Sequence, residues 1–313
     1  MGSLLAWANA CAPRDAMHQP TGLTSAACLR GAQDMPQTAA ASRRWPDLYY
    51  RFVPELHVAD DAARAVRSAL LGNDETALLD AEGLCRLGDF VAEEADLGVD
   101  AGGDEAMMFP GSDGRFHIRI DARPYRGCWN EHDPGLRTEL ARQRFRFRLA
   151  HEIAHSFFFR REGSRLTRER DPSTAEERFC DEFARCLLVP TCAAKRYPVT
   201  ADSVVDLHAA YDVSIEVAAR ALARAHNEAT VLVAYWPTGE PCVYDALQLQ
   251  WLSQQSRQFY DHFFHAKTVI LAVEEGSATC RERSPLTATA TLAASARRVP
   301  EPRRQVVAVY EPA

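Results

Sequence analysis

None of the nine cysteines sits in a Cys-x-x-Cys pair, and their positions (11, 28, 85, 128, 180, 186, 192, 242 and 280) form no regular framework. An odd number cannot pair completely, and free thiols in a reducing compartment fit this pattern best. No apolar stretch approaches the length of a membrane span, so no membrane partner is expected. Near the start, Leu4-Leu5-Ala6-Trp7-Ala8-Asn9-Ala10-Cys11 is mildly apolar but lacks the basic region and the length of a signal peptide. A cytoplasmic location is expected.

An overall basic balance is missing too, the formal net charge being −7. That average hides an uneven distribution. Acids dominate from Asp74 to Glu105, whereas Arg137, Arg142, Arg144, Arg146, Arg148, Arg160, Arg161, Arg165, Arg168 and Arg170 crowd one segment. Such a basic rim is either a solvated face balanced by the acidic segment or an attractor for an acidic substrate or a nucleic-acid backbone.

With 313 residues, 47% of them apolar, the chain can bury two cores. Residues 1–44, rich in Ala, Thr, Gln, Ser and Pro, read as a disordered leader. Residues 45–228 read as a catalytic domain and 229–313 as a second, smaller one.

The catalytic reading begins at His151-Glu152-Ile153-Ala154-His155. Residues four apart share a helix face, so both imidazoles can reach one metal ion while Glu152 stands beside the water that such an ion activates. No Pro or Gly interrupts Leu136 to Glu162, which predicts a helix over that stretch. A second helix is predicted from Ser173, three residues before Glu176 as in a capping box, to Leu187-Leu188-Val189 before Pro190. If Glu176 folds back onto the helix start, Glu177 is left to bind metal, and Ala184 lets the two helices approach. Glu176 and Asp181 remain alternatives for the third ligand. Two histidines and one carboxylate, with a fourth position open, make the catalytic rather than the structural zinc pattern. One Zn2+ per chain is therefore expected.

These residues resemble the ImmA/IrrE-like metallopeptidases. The likeness rests on Arg144 to His155, on Glu-x-x-(small)-(Asn or Asp)-x-Phe-Ala-x-x-Leu-Leu-x-Pro from Glu177 to Pro190, and on Tyr211-Asp212-Val213-Ser214. Asp181 stands where many relatives have Asn. The resemblance implies a zincin-like, mainly helical α+β core with a short antiparallel sheet. It also implies a zinc endopeptidase that cleaves a helix-turn-helix repressor and so derepresses stress, mobile-element or phage-defence genes.

Between Ala106 and Asp121 two apolar runs flank Gly111-Ser112-Asp113-Gly114, a hairpin signal. By the same resemblance the strand before the metal helix, Phe116-His117-Ile118-Arg119-Ile120-Asp121, is a sheet edge that an extended substrate can join. Helices are predicted over Asp60 to Leu71 and Glu82 to Leu97. Cys128, in an overlong loop before the metal helix, could take the water's place and inhibit the enzyme. His132 is a weaker candidate for that role.

Residues 200–226 form two short helices resembling a helix-turn-helix, but the second is mostly Ala, Val, Ile and Leu, which favours packing on the core over reading DNA. His208 and Tyr211 in this segment are candidate oxyanion stabilisers. From residue 229 strands are predicted at Val231 to Trp236, Val269 to Val273 and Val306 to Tyr310, with a helix around Ala246 to Phe264. This α+β order resembles the GAF-like sensor domain of some relatives, and an effector is expected to bind it: single-stranded DNA, on account of the arginine-rich surface, or a small molecule as the rival. The rival reading is a DNA-associated regulatory or antitoxin-type protein whose zinc is structural and non-catalytic.

Overall fold

The computed structural model of this chain describes residues 58–72, 74, 76–80, 83–84, 90–95, 97, 106–121, 136–169, 171–237, 240–253, 267–283, 291–299 and 304–312. By contact density the chain divides into residues 1–35 and 36–313, and every described residue falls in the second unit. The expected leader and the loop with Cys128 and His132 lie outside the described residues.

The unit is α+β. Helix α1 (Ala59–Leu71) buries Ala59, Ala62, Ala63 and Val66 on one face. Strands β1 (Phe90–Ala95), β2 (Ala106–Pro110) and β3 (Phe116–Asp121) form a sheet in the order β1-β3-β2. Two expectations fail here. Phe90 to Ala95, within the helix expected over Glu82 to Leu97, is a strand parallel to β3, because Phe90 and Phe116 stack 5.5 Å apart and tertiary packing overrides weak propensity. As a result β3 is the central strand, paired on both sides, and cannot be the edge that receives a substrate; the sheet is mixed rather than antiparallel. The hairpin between β2 and β3 forms where the glycines predict it, with Gly114 at φ +76 beside the Ser164 backbone.

Helix α2 (Leu136–His155) begins where expected and ends seven residues before Glu162. The cause is the run Phe157-Phe158-Phe159. One helix face cannot bury three consecutive rings, so the chain passes through a 3-10 turn (Ser156–Phe158) into β4 (Phe159–Glu162), paired with β5 (Arg165–Arg168). Phe157 and Phe158 then pack on Phe179 and Phe183, while Phe159 meets Phe116 edge-on at 5.4 Å. Each ring so buried is worth about 1.5–3 kcal/mol.

Helix α3 (Thr174–Leu188) is capped by Ser173, whose side chain accepts from the Glu176 N–H, and stops before Pro190. After a short turn, α4 (Thr191–Ala194), come α5 (Ala201–Tyr211) and α6 (Ile215–Ala225). Between them Asp212 adopts a left-handed conformation at φ 46 and binds back to α2. Its carboxylate accepts from Arg142 at 2.7 and 2.9 Å and from Gln143 at 3.0 Å, and its carbonyl accepts from Arg146 at 2.6 Å. The apolar residues of α6, Ile215, Val217, Ala218, Ala219, Ala221 and Leu222, are spent on the core rather than on a DNA groove.

The remaining strands, β6 (Thr230–Tyr235), β7 (Gln248–Leu252), β8 (Ser277–Arg283), β9 (Thr291–Val299) and β10 (Gln305–Pro312), form an antiparallel sheet ordered β7-β6-β10-β9-β8, with helix α7 (Lys267–Glu275) between β7 and β8. Two more expectations are reversed. Gln248 to Leu252 is a strand, although the helix was expected to start there; the rest of that expected helix, residues 254–264, lies outside the described residues. Val269 to Val273 is helical: its apolar run buries Val269, Ala272 and Val273, and a short apolar run alone does not separate strand from helix. The pleat sends alternate side chains to opposite faces. Val231, Val233, Val307 and Val309 join the core of α1 to α6, while Leu232, Ala234, Val306 and Ala308 pack with α7. Among the described residues no helix is long and apolar enough to cross a membrane.

Candidate metal centre

Helices α2 and α3 lie side by side and bring four acids and a thiol to the two histidines. His151 and His155 are successive turns of α2, with ring centroids 5.0 Å apart. The side chain of His151 is 6% exposed and that of His155 15%. On α3, Glu177 is 56% exposed and directs both oxygens at the pair, Oε2 lying 3.2 Å from His151 Nε2 and Oε1 3.7 Å from His155 Nε2. Two ligands about 2.0–2.1 Å from a tetrahedral ion stand roughly 3.4 Å apart, a spacing that each histidine meets with a different oxygen of Glu177.

The two other acids that sequence left as alternatives occupy the opposite ring nitrogens. Asp181 Oδ1 lies 3.0 Å from His151 Nδ1, and Glu176 Oε1 lies 2.5 Å from His155 Nδ1. Glu176 does not fold back to complete a capping box; its carboxylate is buried and also accepts from Arg168. With a proton on each Nδ1, both Nε2 lone pairs point toward Glu177, the tautomer a metal needs. Burial alone would raise the Glu176 and Asp181 carboxyls, but hydrogen bonds from His155 and Arg168 to the one, and from His151 and Arg185 to the other, hold both below their ordinary range.

Cys180 has its sulfur clustered with one ring nitrogen of each histidine, all within 4.8 Å. It is fully buried, and burial together with the surrounding acids pushes its thiol far up. Glu177 faces both Nε2 atoms from the exposed side, whereas the buried Cys180 thiol would have to lose its proton to bind an ion. Glu152 is 6% exposed, and burial raises its carboxyl against the pull of His155 and His151.

The remaining candidates stand elsewhere. Tyr211 donates its hydroxyl to the Thr76 carbonyl at 2.9 Å, and His208 Nδ1 bonds the Val213 carbonyl while its Nε2 faces Glu139 at 3.9 Å. Glu139 is three turns of α2 before His151, about 18 Å along the axis, so His208 is not placed to stabilise an oxyanion at the histidines, and the Tyr211 hydroxyl is committed to a backbone carbonyl. The supposed basic rim is also partly internal. Arg146 is buried in the core, and Arg142 and Arg168 are committed to Asp212 and Glu176. Arg168 carried no sign of a role in the sequence, since only the turn between β4 and β5 brings it back to α3.

Protonation and metal binding compete at His151. Burial would depress its pKa, but hydrogen bonds to Asp181 and Glu177 outweigh this and raise it to about 9. An ion must displace that proton, so affinity for zinc is expected to climb by up to about tenfold per pH unit below about pH 9 and then level off. Without metal the sign reverses: the stability this raised pKa contributes is complete below pH 6.5 and is lost as pH rises through 9. Chelator-competition titrations across that range check the first part; a flat profile would show that no such proton is held.

Comparison with known proteins places this geometry in a family context. Residues 135–223 match the family model described as the IrrE N-terminal-like domain, Peptidase_M78. No curated protein matches the sequence. One solved structure, described as a Mycobacterium tuberculosis transcriptional regulator, aligns at 15% identity and a TM-score of 0.43 over 85% of this chain and 79% of its own, a likeness too distant to bear on function.

Proposed function

From a chain that belongs to the ImmA/IrrE-like family through its IrrE N-terminal-like domain, we propose a zinc-dependent endopeptidase with a zincin-like core that cleaves a helix-turn-helix transcriptional repressor. The observation carrying this reading is the convergence of His151 Nε2 and His155 Nε2 on the exposed carboxylate of Glu177, with Glu152 on the adjoining turn. His151, His155 and Glu177 would hold the ion, which when bound supplies Lewis acidity to the attacking water and the peptide carbonyl. Glu152, buried and inclined to take up a proton, accepts one from the water and passes it to the leaving amine. Asp181 and Glu176 keep the two rings turned toward the ion. The half-exposed Glu177 leaves this side of the centre open to a peptide.

The reading extends to residues 229–313 as a GAF-like sensor that takes single-stranded DNA or a small molecule, supported by an antiparallel sheet with α7 on one face. The DNA-associated alternative with a structural zinc is disfavoured by α6, whose apolar residues are spent on the core, and by the exposed Glu177, which leaves the centre open on one side.

Glu177→Ala separates the ligand assignments. The variant is expected to lose zinc by at least tenfold in affinity and to lose repressor cleavage, while Asp181→Ala retains more metal. Elemental analysis of the purified variants checks this. A fully loaded, active Glu177→Ala protein would remove Glu177 from the site.

A further inference from the structure

Each acid beside a histidine is itself held by an arginine, and the two arginines come from different elements. Asp181, the partner of His151, accepts from Arg185 at 3.0 Å one turn along α3. Glu176, the partner of His155, accepts through both oxygens from Arg168, at 2.6 and 2.5 Å, and Arg168 ends the hairpin outside the two metal helices.

This hairpin is anchored independently of the metal centre. Arg161 donates to the Gly114 carbonyl in the turn between β2 and β3, the Glu169 N–H bonds the Phe158 carbonyl at 2.9 Å, and the Arg168 guanidinium lies over the Phe159 ring at 5.3 Å. Arg168 is therefore delivered to Glu176 by a partly exposed strand paired with β4. The Glu176 side chain, at 1% exposed, has no water to replace that arginine, whereas the 40% exposed side chain of Asp181 has.

We propose that Arg168 is a positioning residue of the metal centre: by fixing the Glu176 carboxylate it sets the orientation of the His155 ring, so that the hairpin from Phe159 to Arg168 is part of the site although none of its residues binds the ion. This rests on the reading that His151, His155 and Glu177 hold the metal. Arg185 does the same for His151 through Asp181, with a weaker hold because water can stand in for it.

Cobalt(II) added to the purified, metal-free full chain tests the idea, because its visible absorption reports ligand geometry without any need for a substrate. Wild type is expected to bind cobalt with a tetrahedral-type spectrum. Arg168→Ala should lower cobalt affinity by about 10–100-fold and shift or weaken the band, and Arg185→Ala should do so by less. Arg168→Lys, which keeps the charge but not the planar fork, should recover part of the affinity and of the spectrum. Circular dichroism guards against a general loss of fold; if Arg168→Ala unfolds, the spectrum of Arg168→Lys decides. Wild-type affinity and an unchanged band in a folded Arg168 variant would overturn the role of Arg168 while leaving the metal site standing. Failure of the wild type itself to bind cobalt would remove the metal site and this role together.

Discussion

Glu152→Gln is expected to bind zinc as the wild type does, to unfold at the same temperature, and to cleave its repressor at least about 100-fold more slowly, the usual contribution of a general base. The amide has almost the same volume as the acid but cannot accept the water's proton. Because Glu152 sits next to a proposed ligand and is buried, changing its size would confuse loss of base with loss of metal; the isosteric change does not. Metal content by elemental analysis and cleavage on gels should thus part company in this one variant. A structural zinc would predict the opposite pattern, with the two properties moving together in every variant. Near wild-type cleavage by Glu152→Gln would dispose of the mechanism.

The second large effect concerns the fold. Arg146 is 2% exposed in the middle of α2 and donates to the carbonyls of Leu79, Tyr211 and Asp212. Arg146→Met keeps the length of the side chain but abandons three carbonyls and leaves Asp212 a partner short. Breaking a buried charged contact of this kind costs about 3–5 kcal/mol. For a unit of this size that corresponds to a fall in melting temperature on the order of 10 °C. Arg142→Ala, at the more exposed end of the same contact, should cost less, since water can replace it. Thermal denaturation followed by circular dichroism would decide between them, and equal melting temperatures for Arg146→Met and wild type would show that the buried arginine contributes nothing net.

Much of the centre was legible because it depends on spacing within single helices. His151 and His155 share a face by the geometry of α2, and Ser173 and Pro190 bound α3 by local backbone rules. Glu176, Glu177 and Asp181 were harder to separate. On one helix they point in three directions, and which one meets Nε2 rather than Nδ1 depends on how α3 is rotated against α2, which Phe179 and Phe183 set by packing on Phe157. Signals that run across the fold were not legible at all. Nothing local says that Phe90 to Ala95 pairs with β3, that three phenylalanines end α2 at His155, or that Arg168 returns to Glu176. Tyr211 and Asp212 illustrate the opposite hazard. Tyr211 was a candidate for oxyanion stabilisation, yet its hydroxyl is spent on a backbone carbonyl, while Asp212, given no role from sequence, serves as a clasp on α2.

The sheet from β6 to β10 has one face inside the same core as α1 to α6, where Val231, Val233, Val307 and Val309 lie fully buried. The segment that carries the family signature, residues 135–223, is thus smaller than the core it is packed into. Inheritance and folding have different units in this chain. Anyone transplanting the catalytic segment into another protein, or fitting it with a different sensor, has to carry the valine-lined face along or redesign the surface of α5 and α6 that it covers; a graft cut at the family boundary would present that bare surface to every other chain in the cell.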